Sequence, residues 1–182
     1  IPSEVNKAII YGDHKDEVIL SLKNKMIKVK LASKSVLNLG YTYIELYHSE
    51  PLDRIVAHQG VTLTTEAIEQ TSLKVEAKSG AIITLEANVD RLDAVSNSAG
   101  RIHLKGQATN FNLSLSTSGS CEAEELLTEQ SQVKSYAGGY AHINASELVD
   151  AKIIGGGVLR VYGSPKKQVT QTNLGGKIII EE

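Results

Sequence analysis

Four charged residues of this 182-residue chain, His103, Glu122, His142 and Arg160, fall at separations of 19, 20 and 18 residues. Imidazole and carboxylate are ligand types for divalent transition metals, so His103, Glu122 and His142 would make a metal site if the fold brought them to one ion. Such separations make neighbours only in a chain that repeats with the same period. If each repeat advances by one strand spacing, about 4.8 Å, the two histidines stand about 9 to 10 Å apart. That is too far to share one tetrahedral ion. The column therefore reads as a solvated ladder in which Glu122 offsets its neighbours. No metal and no cofactor is expected, and this ladder is the weak metal candidate. Lys105, Glu124 and Asn144 form a second outward column of the same kind.

The other constellation is aromatic. Residues 41–47 read YTYIELY, which puts Tyr41, Tyr43 and Tyr47 on one face of a strand and Ile44 and Leu46 on the other. A tyrosine ring packs while its hydroxyl stays hydrated, so this face suits stacking against sugar rings or a partner protein. The competing expectation is that the N-terminal β segment folds over the rings. Cys121, the single cysteine, permits no internal disulfide and reads as a small buried residue. Gly175–Lys177 is followed by Ile178 where a phosphate loop needs Ser or Thr, and Gln171 stands where its first glycine belongs. The five histidines form no HExxH and no serine sits in a GxSxG elbow, so no sequence-local nucleotide or hydrolase motif is present.

The elements that must position these residues follow from the glycines. Gly60, Gly80, Gly100, Gly119, Gly139, Gly157 and Gly176 recur every 18 to 20 residues, in tripeptides such as HQG, KSG, SAG and TSG that read as corners where glycine supplies a positive φ. After each corner come two small or apolar residues spaced by two: Val61 and Leu63, Ile83 and Leu85, Ile102 and Leu104, Cys121 and Ala123, Ala141 and Ile143, Leu159 and Val161, Ile178 and Ile180. Weaker pairs precede the corners, among them Val75 and Ala77, Leu113 and Leu115, Val133 and Ser135, Ala151 and Ile153. The unit is strand, glycine corner, strand, polar loop. A unit this short buries its apolar face only by stacking on its neighbours.

The predicted fold is all-β, a right-handed parallel β-solenoid of about seven coils of about 20 residues each. Its core is closed by small aliphatic side chains, consistent with no Trp, one Phe and seven Tyr. Residues 122–130, EAEELLTEQ, have helical propensity, but their coil is no longer than its neighbours, so a strand is expected. No six-residue period supports a left-handed hexapeptide solenoid. Residues 1–50 lack the glycine period and alternate instead, in strands AIIYGD, EVILSLKN, MIKVKLA and YTYIELY with a charged turn over 13–16. They are expected to form an N-terminal β cap of the same domain as the solenoid of residues 51–182. Glu181 and Glu182 are expected to guard the far edge.

Residues 133–167, with GG and GGG corners and the segment YGSPKK at 162–167, resemble the auto-transporter adhesin head GIN domains of Bacteroidetes. The resemblance covers about residues 41–180. It implies a pectin-lyase-like β-helical fold, export to the periplasm, outer membrane or cell surface, and an adhesive role, with no catalytic residues. The composition agrees with one globular domain: 41% apolar, 22% charged, 19 Lys+Arg against 21 Asp+Glu, net charge -2. No apolar run reaches the roughly 20 residues of a membrane-spanning helix. No basic cluster suits nucleic acid. No signal peptide opens the chain, and a start at Ile1 reads as a trimmed mature form.

The expected function is a non-enzymatic exported cell-envelope module, adhesin-like or scaffolding, whose partner is a polysaccharide or an envelope or host surface protein. A homo-oligomer, trimeric or end-to-end, is the structural variant of this reading. The enzymatic alternative is a polysaccharide-processing enzyme on a pectin-lyase-like β-helix, which would need a cluster of carboxylates.

Overall fold

A computed structural model describes residues 1–32 and 40–181. The chain divides into two compact units, Ile1–Pro51 and Leu52–Glu182. In the first, β1 (Lys7–Gly12) pairs antiparallel with β4 (Thr42–Tyr47), and β2 (Val18–Lys23) pairs antiparallel with β3 (Met26–Leu31). The β2–β3 turn is Asn24–Lys25, both at positive φ, the geometry whose twist suits a two-residue hairpin. All four strands read from alternation are present, and the charged turn contains a short 3₁₀ segment, Lys15–Glu17. Residues 33–39 of the expected N-terminal segment lie outside the described residues.

The second unit is a parallel β-solenoid of about seven turns. Its strands are β5 (Arg54–His58), β6 (Thr62–Thr64), β7 (Ile68–Lys78), β8 (Ile82–Asn97), β9 (Arg101–Ser116), β10 (Ser120–Tyr136), β11 (Tyr140–Ile154), β12 (Val158–Tyr162), β13 (Lys167–Asn173) and β14 (Lys177–Ile180). Residues 122–130 lie inside β10, not in a helix. Hydrogen bonding to strands on both sides outweighs their intrinsic propensity.

Register carries the core from coil to coil. One inward column runs Leu63, Ile83, Ile102, Cys121, Ala141, Leu159, Ile178, and another runs Ile55, Val75, Ala94, Leu113, Val133, Ala151. Phe111 is the one ring in this core, fully buried between Leu92 and Ser131 in register. Inward serines are tied to the corner backbone: Ser96 Oγ donates to Gly100 O at 2.6 Å, and Ser135 Oγ to Gly138 O at 3.3 Å.

Three details differ from the sequence reading. First, β8 to β11 run 15 to 17 residues with no polar loop between faces. In β8, β9 and β10 the strand bends where two consecutive residues point outward, as at Asp90–Arg91 between buried Val89 and Leu92, or Thr109–Asn110 between Ala108 and Phe111. A strand that must face inward on both sides of a flat coil shifts its period-two alternation by one at the bend.

Second, the seven glycines occupy two positions rather than one. Gly60 and Gly80 have positive φ, but at the next two corners Ser98–Ala99 and Thr117–Ser118 carry it. Arg101 pairs with Ile82 and with Ser120, so Gly100 and Gly119 fall one place later, level with Ala81. There a Cβ would strike the carbonyl of Ala77 or of Ser96. Glycine is required at these corners for close approach. Third, Val61 sits at a corner and is half exposed, leaving Leu63 as the inward residue of its pair.

Candidate functional site

The four-residue column is real as register. His103 pairs with Glu122, Glu122 with His142, and His142 with Arg160. The side chains split into local pairs. His103 Nδ1 lies 3.0 Å from Glu122 Oε2, while His142 Nδ1 lies 3.6 Å from Glu124 Oε2. His142 also packs edge-on against Tyr140 and Tyr162, with ring centroids 4.6 and 5.7 Å away, and the Tyr140 hydroxyl meets its Nε2. Arg160 turns to Glu181, Nη1 to Oε1 2.5 Å; Glu182 lies outside the described residues. Among the described residues no three His, Cys, Asp or Glu groups converge as metal ligands.

The second expected column does not form. β10 carries extra residues after Glu122, so Lys105 falls opposite Glu125 and Asn144 opposite Leu127. Bulges of this kind displace every later side chain. The Lys105 ammonium is 3.0 Å from Glu86, and Asn144 Nδ2 donates to the backbone oxygen of Glu124 at 3.1 Å.

The aromatic face lies on β4 and the residue before it. Tyr41 and Tyr43 stack with centroids 6.4 Å apart and planes 26° from parallel, 76% and 64% exposed. Tyr47 is half-buried, with the Lys7 ammonium 4.2 Å above its ring, a cation–π contact. The β1–β4 register adds a residue that the sequence reading missed: Tyr11 faces Tyr43. Tyr11 and Tyr47 both donate to Glu45 Oε2, at 3.3 and 2.9 Å. Desolvation and the Glu45 carboxylate push the Tyr11 hydroxyl above its ordinary pKa. The N-terminal strand thus lies beside the tyrosines as a hydrogen-bonded neighbour and does not cover Tyr41 and Tyr43. In the sequence Tyr11 was only one alternating residue of a short strand, and nothing local announced its partner.

The strongest electrostatic feature centres on the segment KVEAK at 74–78, whose alternating charges the glycine period does not single out. Glu76 is almost wholly buried beneath Arg54 Nη2 at 2.5 Å, Lys78 Nζ at 2.5 Å and Lys74 Nζ at 3.2 Å. Burial alone would raise its carboxyl, but hydrogen bonds from Lys78, Lys74 and Arg54 hold it down at about 2. Cys121 is fully buried, and burial together with Glu124 and Glu122 pushes its thiol far up. A shallow cleft of about 350 Å³ near the last coil is lined by Ser164, Pro165, Gln168, Ile180 and Glu181. Its single carboxylate is the one tied to Arg160.

A family model described as "Putative auto-transporter adhesin, head GIN domain" matches residues 1–165. No curated protein matches the chain. Among solved structures, that of a putative adhesin from Bacteroides fragilis superposes with a TM-score of 0.89 at 23% identity, covering 99% of this chain and 85% of that one.

Proposed function

The chain belongs to the auto-transporter adhesin head GIN domain family, and on that premise we propose an exported, non-enzymatic module of the cell envelope that grips a polysaccharide through Tyr11, Tyr41, Tyr43 and Glu45. One observation carries this reading: two stacked tyrosine rings present most of their surface to water. Exposed rings beside a fixed acceptor match the two faces of a sugar. The C–H face stacks on tyrosine, and sugar hydroxyls donate to Glu45, a carboxylate already oriented by Tyr11 and Tyr47.

Five carboxylates of the solenoid support the non-enzymatic side, because they serve as structural counter-ions. Glu76, Glu86, Asp93, Glu147 and Glu181 each hold a lysine or arginine. A glycosidase needs two free carboxyl groups flanking the scissile bond. No helix among the described residues is long and apolar enough to cross a membrane.

The test is retention of the purified chain on a panel of bacterial and host polysaccharides, with polymer length measured in the same samples. Retention at unchanged length, weakened by Tyr41→Ser with Tyr43→Ser, is the expected result. Shortening of any polymer overturns the non-enzymatic reading, and retention indifferent to both substitutions overturns the site.

A further inference from the structure

Charge is distributed unevenly over the outer face that precedes the corners. In the first coils every cation of that face has its acid: Arg54, Lys74 and Lys78 gather on Glu76, and Arg91 Nε reaches Asp93 at 3.1 Å. The column that begins with Val56 and Glu76 then passes through Val95 and Ser114 and continues with Lys134 on β10 and Lys152 on β11. These two lysines are direct register partners, one strand spacing, about 4.8 Å, apart at the backbone. Among the described residues neither ammonium group has an ion-pair partner. Asp150, two residues before Lys152 on the same face, instead accepts from Gln132 Nε2 at 3.1 Å.

Like charges facing each other across a parallel ladder repel, and among the described residues neither Asp150, turned to Gln132, nor any other carboxylate forms an ion pair with these two lysines. Beside it, Tyr136 is 46% exposed and pairs in register with Ile154. Gln132, Ser114 and Gln171 surround the lysines with amide and hydroxyl groups.

We propose that Lys134, Lys152 and Tyr136 form a second binding site, one for an anionic polysaccharide, whose acidic groups neutralise the two ammonium groups while a sugar ring rests on Tyr136. The proposal rests on the reading of the chain as a glycan-binding module and adds a ligand class to it. A polymer with sparse acidic groups fits two cations on a flat polar sheet. Nucleic acid, with a phosphate at every residue, calls for a longer basic run, and an anionic bilayer calls for exposed apolar residues to insert beside the charges.

The experiment measures affinity of the full chain for polygalacturonate, for neutral dextran and for vesicles of phosphatidylserine and phosphatidylcholine. Lys134→Gln with Lys152→Gln lowers affinity for polygalacturonate about tenfold, and added salt lowers that of the parent. Lys166→Gln, which also removes a cation but one paired with Glu147 at 2.6 Å, changes it less than about twofold. Equal losses in both variants, no loss in the double variant, or binding to vesicles without binding to polygalacturonate overturns the site. Polygalacturonate binding that survives the double variant but is lost with Tyr41→Ser and Tyr43→Ser defeats this inference and leaves the tyrosine site standing. Retention of no glycan at all, neutral or acidic, defeats the underlying reading and the inference with it.

Discussion

Two adjacent residues at one corner should both favour glycine over alanine, one because a Cβ collides with backbone and the other because its φ is positive. At Gly100 an added Cβ would collide with the backbone carbonyl of Ala77 on the preceding coil. Backbone cannot swing aside as a flexible side chain does, so Gly100→Ala must separate two coils whose registered strands are otherwise continuous. Overpacking of this kind costs about 1–3 kcal/mol, and loss of registered hydrogen bonds adds about 1 kcal/mol, giving about 2–4 kcal/mol. Its neighbour Ala99 sits at φ 60°, where an L side chain costs about 1–2 kcal/mol. Ala99→Gly relieves that strain but loosens the unfolded chain by about 0.4–1 kcal/mol, so it leaves stability unchanged or raises it by up to about 1.5 kcal/mol. Urea unfolding followed by far-UV circular dichroism measures both. A Gly100→Ala protein within about 0.5 kcal/mol of the parent, or an Ala99→Gly protein as destabilised as Gly100→Ala, would refute the assignment of these two positions.

Glu76→Gln leaves three cations facing a neutral amide. The displacement of the Glu76 carboxyl from 4.5 to about 2 converts to about 3 kcal/mol. Screening around the half-exposed Arg54 and Lys74 brings the expected loss at neutral pH to about 1–2 kcal/mol. Because the folded-state pKa is depressed, this contribution is complete above about pH 4.5 and disappears as pH falls through 2, so parent and variant unfolding curves converge in acid. Cys121, buried with its thiol pKa raised, resists maleimide labelling in the native protein and labels fully in urea. Thr128→Val removes the hydroxyl that bonds Ser131 Oγ at 2.8 Å and Asn144 O at 2.6 Å inside the bend; the stranded partners cost about 1–3 kcal/mol in the same unfolding assay.

The solenoid was legible because its information is periodic. Once the glycines set a repeat, inward columns such as Ile83, Ile102, Cys121 and Ala141 and the outward column His103, Glu122, His142 followed by counting, and the register agrees. Counting failed where the period drifts. The bulge in β10 moved Glu124 out of the Lys105 column, and a one-residue shift between Gly80 and Gly100 left two kinds of corner looking like one. The two-residue outward step at the bends of β8 and β9 looks like a loop, since Asp90–Arg91 and Thr109–Asn110 are polar and break alternation just as loop residues do. The approach of Tyr11 to Tyr43 depends on an antiparallel pairing between strands 30 residues apart, which no period encodes. Lys134 and Lys152, by contrast, lay in plain view at a separation of 18 and needed only the knowledge of which neighbouring acids were already engaged.

Tyrosine fluorescence tests the central claim most directly, because the chain has seven tyrosines and no tryptophan to mask them. Titrating the parent chain with a polysaccharide that it retains should change the emission saturably, and Tyr41→Ser with Tyr43→Ser should abolish both that change and the retention. Retention of the same polymer at full affinity by the doubly substituted chain would contradict the account.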